Sequence, residues 1–191
     1  MLLATLLAAA ATSPHAISVS ASTGWVMSVG SEPQGDYLEG GAIAGTRLQY
    51  DHTFHRGLFV GGVAGYERVW NKGKSITDDA FNAALVGGTI GSRWGKNVRG
   101  GLRGAAGFAY GFGEWCPTCG SGQPHTRSPG WFVDVEGEIS ASVGKVELFL
   151  DIPIVLSRTF YSGDPGLRRE KWWYAVPIFP VTATVGIRSF F

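Results

Sequence analysis

The sequence consists largely of runs in which apolar and polar residues alternate, and this pattern constrains the fold more than any other feature. In the seventh run, Val146, Leu148 and Leu150 share one parity. Glu147 and Asp151 share the other. Successive side chains of a β-strand point to opposite faces, so each run predicts a strand with one apolar and one polar face. Eight strands are predicted, at residues 17–29, 38–53, 58–70, 81–94, 98–112, 131–143, 145–159 and 180–191.

The links between these predicted strands alternate in length. The links after the second, fourth and sixth strands are short: FHRG, GKN and Gly144. The other links are long: SEPQGDYL, NKGKSITDD, GEWCPTCGSGQPHTRSPG and YSGDPGLRREKWWYAVPIF. Bacterial outer-membrane barrels show this asymmetry, with short periplasmic turns and longer extracellular loops. The sequence therefore predicts an all-β fold, namely an eight-stranded antiparallel up-and-down transmembrane β-barrel.

Charged residues of both signs recur on the polar faces, among glycine, alanine and serine. Only five lysines occur in the chain, whereas a soluble barrel that turned this face outward would be expected to carry many. Arginine keeps its charge and donates paired hydrogen bonds to carboxylates, so it is tolerated inside a barrel when paired. We therefore predict that the polar faces line the lumen and the apolar faces meet lipid. The predicted lumen charge network comprises Arg47, Asp51, Arg93, Arg99, Arg103, Asp134, Glu136, Glu138, Glu147, Asp151 and Arg188.

Two functions are open to this network. It can be a paired polar filling of a barrel too narrow to conduct, as eight strands favour. Alternatively, it can form the gate of a narrow pore.

Aromatic residues supply an independent indication of a membrane barrel. They fall at both ends of the predicted strands, as expected for rings that prefer the two membrane interfaces. Those at the long-loop ends are Trp25, Trp70 and Trp131, and those at the short-turn ends are Phe54, Trp94, Phe190 and Phe191.

The last run, VTATVGIRSFF, ends on Phe191 and has Ile187 and Val185 at alternating positions before it. This ending resembles the C-terminal signal of proteins inserted by the barrel-assembly machinery, although Ser189 stands where a bulky apolar residue is usual. Over residues 17–191 the chain resembles the small eight-stranded outer-membrane proteins of the OmpA/OmpX type. The resemblance implies Phe191 as the assembly signal, the barrel-assembly machinery as a partner, and a bacterial outer-membrane location.

The N-terminal residues 1–16 read as a signal peptide, with an apolar stretch followed by small residues. The cleavage site is ambiguous between Ala11 and Ala16. The predicted organisation is therefore a leader at 1–16 and a barrel at 17–191. The net charge of +1 and the lack of a basic run give no reason to expect a nucleic-acid partner.

The two cysteines, Cys116 and Cys119, lie in the long fifth link as WCPTCG. In an exported protein this spacing favours a local disulfide over a redox pair or half of a zinc site. We expect no metal and no cofactor.

The seventh link combines basic and aromatic residues that suit lipopolysaccharide phosphates and sugars. The predicted interaction residues are Arg168, Arg169, Lys171, Trp172 and Trp173. We expect a non-enzymatic barrel with a structural or surface-interaction role, whose extracellular ligand the sequence does not identify. The alternatives are a narrow pore, a lipid A-modifying enzyme that would use one of His52, His55 and His125, and a lipocalin-like carrier with an apolar lumen.

Overall fold

The computed structural model describes residues 14–32, 35–54, 57–71, 80–112, 128–161, 170–175 and 182–191. These residues form nine β-strands: β1 (His15–Glu32), β2 (Gly35–Thr53), β3 (Leu58–Asn71), β4 (Ala80–Gly95), β5 (Val98–Phe112), β6 (Ser128–Val143), β7 (Val146–Tyr161), β8 (Glu170–Ala175) and β9 (Thr182–Phe190). Within these ranges no helix is long and apolar enough to cross a membrane.

The strands close into a barrel. Each strand from β1 to β7 pairs antiparallel with the next one along the chain. β8 and β9 both lie between β7 and β1 and pair antiparallel with each of them, so together they occupy the eighth position. The predicted eight-stranded antiparallel barrel is therefore confirmed. Closure satisfies backbone hydrogen-bonding groups within the sheet, which is what a sheet needs in order to stand in lipid.

The two ends of the barrel differ. One end carries the links at 54–57, 96–97 and 144–145, and we call it the short-turn rim. Its tight turns rely on glycine: Gly144 has a φ of 67°, a left-handed conformation that other residues rarely adopt. The links at 72–79, 113–127 and 162–169 join strands at the opposite end, the long-loop rim.

The outer wall is apolar and the lumen is polar, as the parity of the runs predicts. On the outside, Val86 is 60% exposed, Ile90 64% and Phe108 77%. Large apolar side chains continue around the outer surface of the other strands, far beyond the patch that a soluble monomer shows to water. An apolar outer surface of this extent is suited to contact with the lipid tails of a bilayer.

Three boundaries differ from the sequence prediction. The first link is short, because β1 and β2 extend into SEPQGDYL from both sides and pair as far as Glu32 and Gly35. β1 begins at His15, so His15 and Ala16 belong to the barrel although the predicted leader includes them. Part of the predicted seventh loop is strand β8, whose residues pair with both β7 and β1.

One predicted face is wrong. The register between β6 and β7 shifts at a bulge, since Val135 pairs with Val155 but Glu136 pairs with Pro153. The bulge reverses the parity of β7 beyond it. Leu156, which alternation places on the lipid side, is therefore buried in the lumen, 3% exposed.

Candidate functional site

The lumen holds a network of ion pairs that crosses it from strand to strand. Among the described residues it contains six arginines and seven carboxylates, all buried except the partly exposed Arg99. The members are Arg47, Arg93, Arg99, Arg103, Arg158 and Arg188, with Asp51, Glu67, Asp134, Glu136, Glu138, Glu147 and Asp151.

The part of the network farther from the short-turn rim centres on two arginines. Arg158 of β7 donates to both carboxylate oxygens of Glu67 on β3, at 2.6 and 2.8 Å, and it also contacts Asp134 of β6. Arg47 of β2 lies 3.1 Å from Glu67, 3.1 Å from Asp134 and 2.7 Å from Glu136. Because these residues come from four strands, their contacts close the lumen from side to side.

Nearer the short-turn rim, Arg188 of β9 is fully buried and pairs with two glutamates of β6 and β7. Its Nη2 lies 2.7 Å from Glu138 Oε2, and its Nη1 lies 2.6 Å from Glu147 Oε2. Arg93 of β4 lies 3.0 Å from Glu138 and 2.7 Å from Asp51. Glu138 is therefore shared between two arginines.

Arg99 lies at the edge of this group. Its Nη1 is 3.6 Å from Glu147 Oε1, and its side chain keeps 15% exposure.

Arg103 and Gln49 join the two parts of the network. Arg103 contacts Glu136 and donates to Asp151 Oδ2 at 2.6 Å. It also donates to Gln49 Oε1 at 2.7 Å, and Gln49 Nε2 in turn donates to Asp51 Oδ1 at 2.6 Å. Hydrogen bonds therefore run without interruption from Arg158 to Arg188. Gln49 carries no charge, so a search for charged residues in the sequence could not include it.

Each of three inward phenylalanine rings lies beneath an arginine. The distances from guanidinium carbon to ring centroid are 3.8 Å for Arg93 and Phe59, 4.6 Å for Arg188 and Phe149, and 5.3 Å for Arg158 and Phe132. The rings fit because glycines face them. A Cβ added to Gly186 would lie 2.7 Å from Phe149 Cε1 and 2.7 Å from Ser20 Cβ. The ring thus takes the volume that a side chain at 186 would need.

The structure brings all eleven sequence-predicted lumen residues into this network, and it adds Glu67 and Arg158. Arg158 was missed because plain alternation along β7 turns it toward lipid, whereas the bulge turns it inward. Pro153 was the available signal, since a proline inside a strand favours a bulge. Glu67 was missed because both faces of β3 are largely apolar, so alternation there does not separate the inside from the outside.

The aromatic side chains predicted at the interfaces point outward where they are described, with one exception. Phe190 shares the inward parity of Arg188, and its ring lies 5.7 Å from the guanidinium carbon of Arg99, so its predicted place in the girdle is wrong. At the long-loop ends, Trp25 and Trp70 are exposed. At the short-turn rim, Phe54, Trp94 and Phe191 are exposed. Their placement at two levels matches the girdles expected of a membrane barrel.

The remaining predicted residues are located only in part. Cys116, Cys119, Arg168 and Arg169 lie outside the described residues. Lys171, Trp172 and Trp173 lie on β8 by their backbone, with register partners on both β1 and β7. Phe191 directly follows β9, and its backbone nitrogen donates to the carbonyl of His15 at 3.2 Å.

Comparisons with known proteins identify the fold. No protein-family model and no curated protein matches the chain. Among solved structures, the chain is similar to Neisserial surface protein A, NspA, with 14% identity, 94% of this chain and 98% of that chain covered, and a TM-score of 0.51. It is also similar to Ail, the attachment invasion locus protein of Yersinia pestis, with 14% identity, coverages of 90% and 97%, and a TM-score of 0.37. The likeness to NspA and the closed eight-stranded sheet lead to one conclusion: this chain has the fold of the small eight-stranded outer-membrane β-barrels.

Proposed function

We propose that the chain is an integral barrel of the bacterial outer membrane that does not conduct and that acts through its long-loop rim, in envelope structure or surface interaction. In this orientation the short-turn rim faces the periplasm and the long loops face outward. The chain would bind at the surface and catalyse no reaction.

The observation that carries the proposal is the closed lumen. A water-filled channel needs an open path past its charged lining, but here guanidinium and carboxylate groups from strands that are not neighbours contact one another across the lumen at 2.6–3.1 Å. A second set of buried side chains is apolar and packs in the lumen as well: Ile43, Val63, Val69, Ala83, Leu85, Ala105, Ala109, Phe132 and Leu156. An eight-stranded barrel has only enough interior volume for side chains of this kind.

Planar-bilayer recording tests the closed lumen. The purified wild-type barrel is expected to give no discrete conductance steps. A variant with Arg47, Arg103 and Arg158 replaced by serine, which removes three arginines and the ion pairs they make in the lumen, should permit leakage or steps. Discrete steps in the wild-type protein would overturn the proposal in favour of a pore.

The proposed partner at the long-loop rim is lipopolysaccharide. Support comes from the basic and aromatic sequence of residues 168–173 and from the outward Arg68 of β3, whose guanidinium lies 5.3 Å from the Trp70 ring. An arginine held beside an interfacial tryptophan suits a phosphate at the headgroup level.

Retention of lipopolysaccharide during purification tests this partner. Replacing Arg168 and Arg169 by alanine should lower the amount that copurifies, whereas replacing Lys96 and Lys145, which are exposed at the short-turn rim, should not. Equal retention by both double variants would count against the long-loop site. A change in lipid A mass when the chain is expressed in a host would indicate an enzyme instead.

A further inference from the structure

Two histidines that are 37 residues apart in the chain meet on the outer face of the short-turn rim. His15 and His52 are register partners on β1 and β2. Their Nδ1 atoms are 3.4 Å apart, and their ring centroids are 4.8 Å apart. His15 is two residues from the outward Ile17, and His52 is two residues from the outward Tyr50. Because side chains two residues apart on a strand share a face, both imidazoles face away from the lumen.

A third polar atom joins the two imidazoles. The hydroxyl oxygen of Tyr50 lies 2.7 Å from Nδ1 of His15. The same Nδ1 therefore faces both the Tyr50 oxygen and the His52 nitrogen. In a neutral imidazole, Nδ1 offers either one proton or one lone pair, so it cannot make two good hydrogen bonds at once. The Tyr50 oxygen and the two Nδ1 nitrogens therefore lie close together, and each of the three atoms has a lone pair that it can donate to a cation.

The separation of the two nitrogens fits metal chelation. At 3.4 Å it is long for a hydrogen bond, whose usual donor–acceptor distance is about 2.9–3.0 Å. Two imidazole nitrogens that each lie about 2.0–2.1 Å from one tetrahedral zinc ion are about 3.4 Å apart. The pair thus stands at the distance that a shared metal ion requires.

Aromatic rings enclose this position. The Phe54 ring lies edge-on to His52, with the centroids 4.7 Å apart, and the Phe191 ring stacks on His15 at 6.1 Å. Both histidines are half-buried, which limits their rotation and restricts access of bulk water. Such packing lowers the conformational cost of holding two imidazoles for one ion.

We propose that His15 and His52 form a binding site for a divalent cation that prefers imidazole nitrogen, of the Cu²⁺ and Zn²⁺ class, with Tyr50 oxygen or water completing the coordination. Imidazole is a ligand suited to these metals, and Cu²⁺ binds the tighter of the two at a given nitrogen site. No group of three or more His, Cys, Asp and Glu residues is arranged for a metal within the described ranges. The site is therefore a two-imidazole site of moderate affinity.

Such an ion would fasten the position where the barrel closes. β1 is the first strand, and it pairs with β2 on one side and with β9 on the other. At its beginning, Ala16 pairs with Asp51 and with Phe190. A metal held between His15 and His52 would link β1 to β2 at the end of the strand that frays most easily, and so stabilise the closed barrel.

Calorimetric titration of the untagged barrel, extracted from outer membranes and kept in detergent, tests the site. Intact mass must first show that the mature chain contains His15, and a chain that begins after it overturns the proposal. Wild-type protein should bind Cu²⁺ and Zn²⁺ with one site, Cu²⁺ more tightly, and should not bind Mg²⁺. His15→Asn and His52→Asn should each weaken binding at least about tenfold, because one imidazole alone cannot chelate.

His125→Asn is the matched control, and its affinity should equal that of the wild type. Heat-modified gel migration verifies that each variant is folded. As a second readout, Zn²⁺ should raise the urea midpoint of the wild-type and H125N proteins but not of H15N or H52N. No Cu²⁺ or Zn²⁺ binding by the wild type, or binding that survives both H15N and H52N, would refute the site.

Discussion

Replacement of Arg103 by alanine tests whether the lumen network is a stabilising structure in which each charge depends on its partners. Arg103 is 3% exposed and is the ion-pair partner of Asp151, which is itself fully buried. The substitution would leave Asp151 without that partner and Glu136 with Arg47 alone. Removing one member of a buried ion pair costs about 3–5 kcal/mol, because the remaining charge stays buried without compensation.

The assay is reversible unfolding in urea, followed by heat-modified gel migration and tryptophan fluorescence. At a slope of about 2 kcal/mol per molar urea, the expected loss lowers the midpoint by roughly 1.5–2.5 M. Arg68→Ala is the matched control, since Arg68 points outward and contacts the Trp70 ring at 5.3 Å. Its loss should cost below about 1 kcal/mol.

A double variant separates two costs of Arg103→Ala, the loss of the partner of the Asp151 carboxylate and the loss of the packing of the Arg103 side chain. In the Arg103→Ala background, Asp151→Asn removes the carboxylate that Arg103 leaves behind, so part of the lost stability should return. The reasoning is refuted if R103A is no more destabilising than R68A. It is also refuted if D151N destabilises the R103A protein by as much as it destabilises the wild type.

Three further outcomes follow from the same structure. Glu138→Gln should lower the urea midpoint more than Asp151→Asn, because Glu138 accepts hydrogen bonds from two arginines whereas Asp151 Oδ1 has no hydrogen-bond partner among the described residues; equal midpoints would contradict this order. Gly186→Ala should cost about 1–3 kcal/mol by overpacking against the ring beneath it, whereas Gly137→Ala, whose Cβ would meet nothing closer than 3.9 Å, should be tolerated. Deleting Phe191 should reduce the heat-modifiable fraction recovered from outer membranes in vivo, and unchanged assembly would show that it is not the signal.

Alternation, together with the unequal link lengths and the few lysines on the polar faces, was sufficient to predict the barrel and most of its two faces. The period of two in runs such as β5 and β9 fixes which side chains share a face, and a closed eight-stranded sheet then fixes which face is the lumen. Because Arg188 and Glu138 both lie on polar faces, their shared location followed from parity alone. Their contact at 2.7 Å did not, since it depends on the stagger of strands that are 50 residues apart.

The missed features have local causes. A bulge near Pro153 adds one residue to β7 and reverses the orientation of Arg158, which a strict period of two cannot represent. The segment at 170–175 was assigned to the seventh link, which was expected to be a long loop. It forms β8 instead, where its aromatic residues suit a strand and its backbone finds partners on both sides. The histidine pair was hidden because His15 was assigned to the leader.

Outer-membrane fractionation combined with heat-modifiability tests the central claim, an apolar wall in lipid around a lumen closed by ion pairs, most directly. The chain, expressed with its N-terminal segment in a Gram-negative host, should be recovered in the outer-membrane fraction. Unheated, it should migrate as a compact form that shifts on boiling, as a closed barrel does when its interior is disrupted. Recovery as a soluble periplasmic protein would contradict the account, because the exposed Val86, Ile90 and Phe108 could not then face lipid.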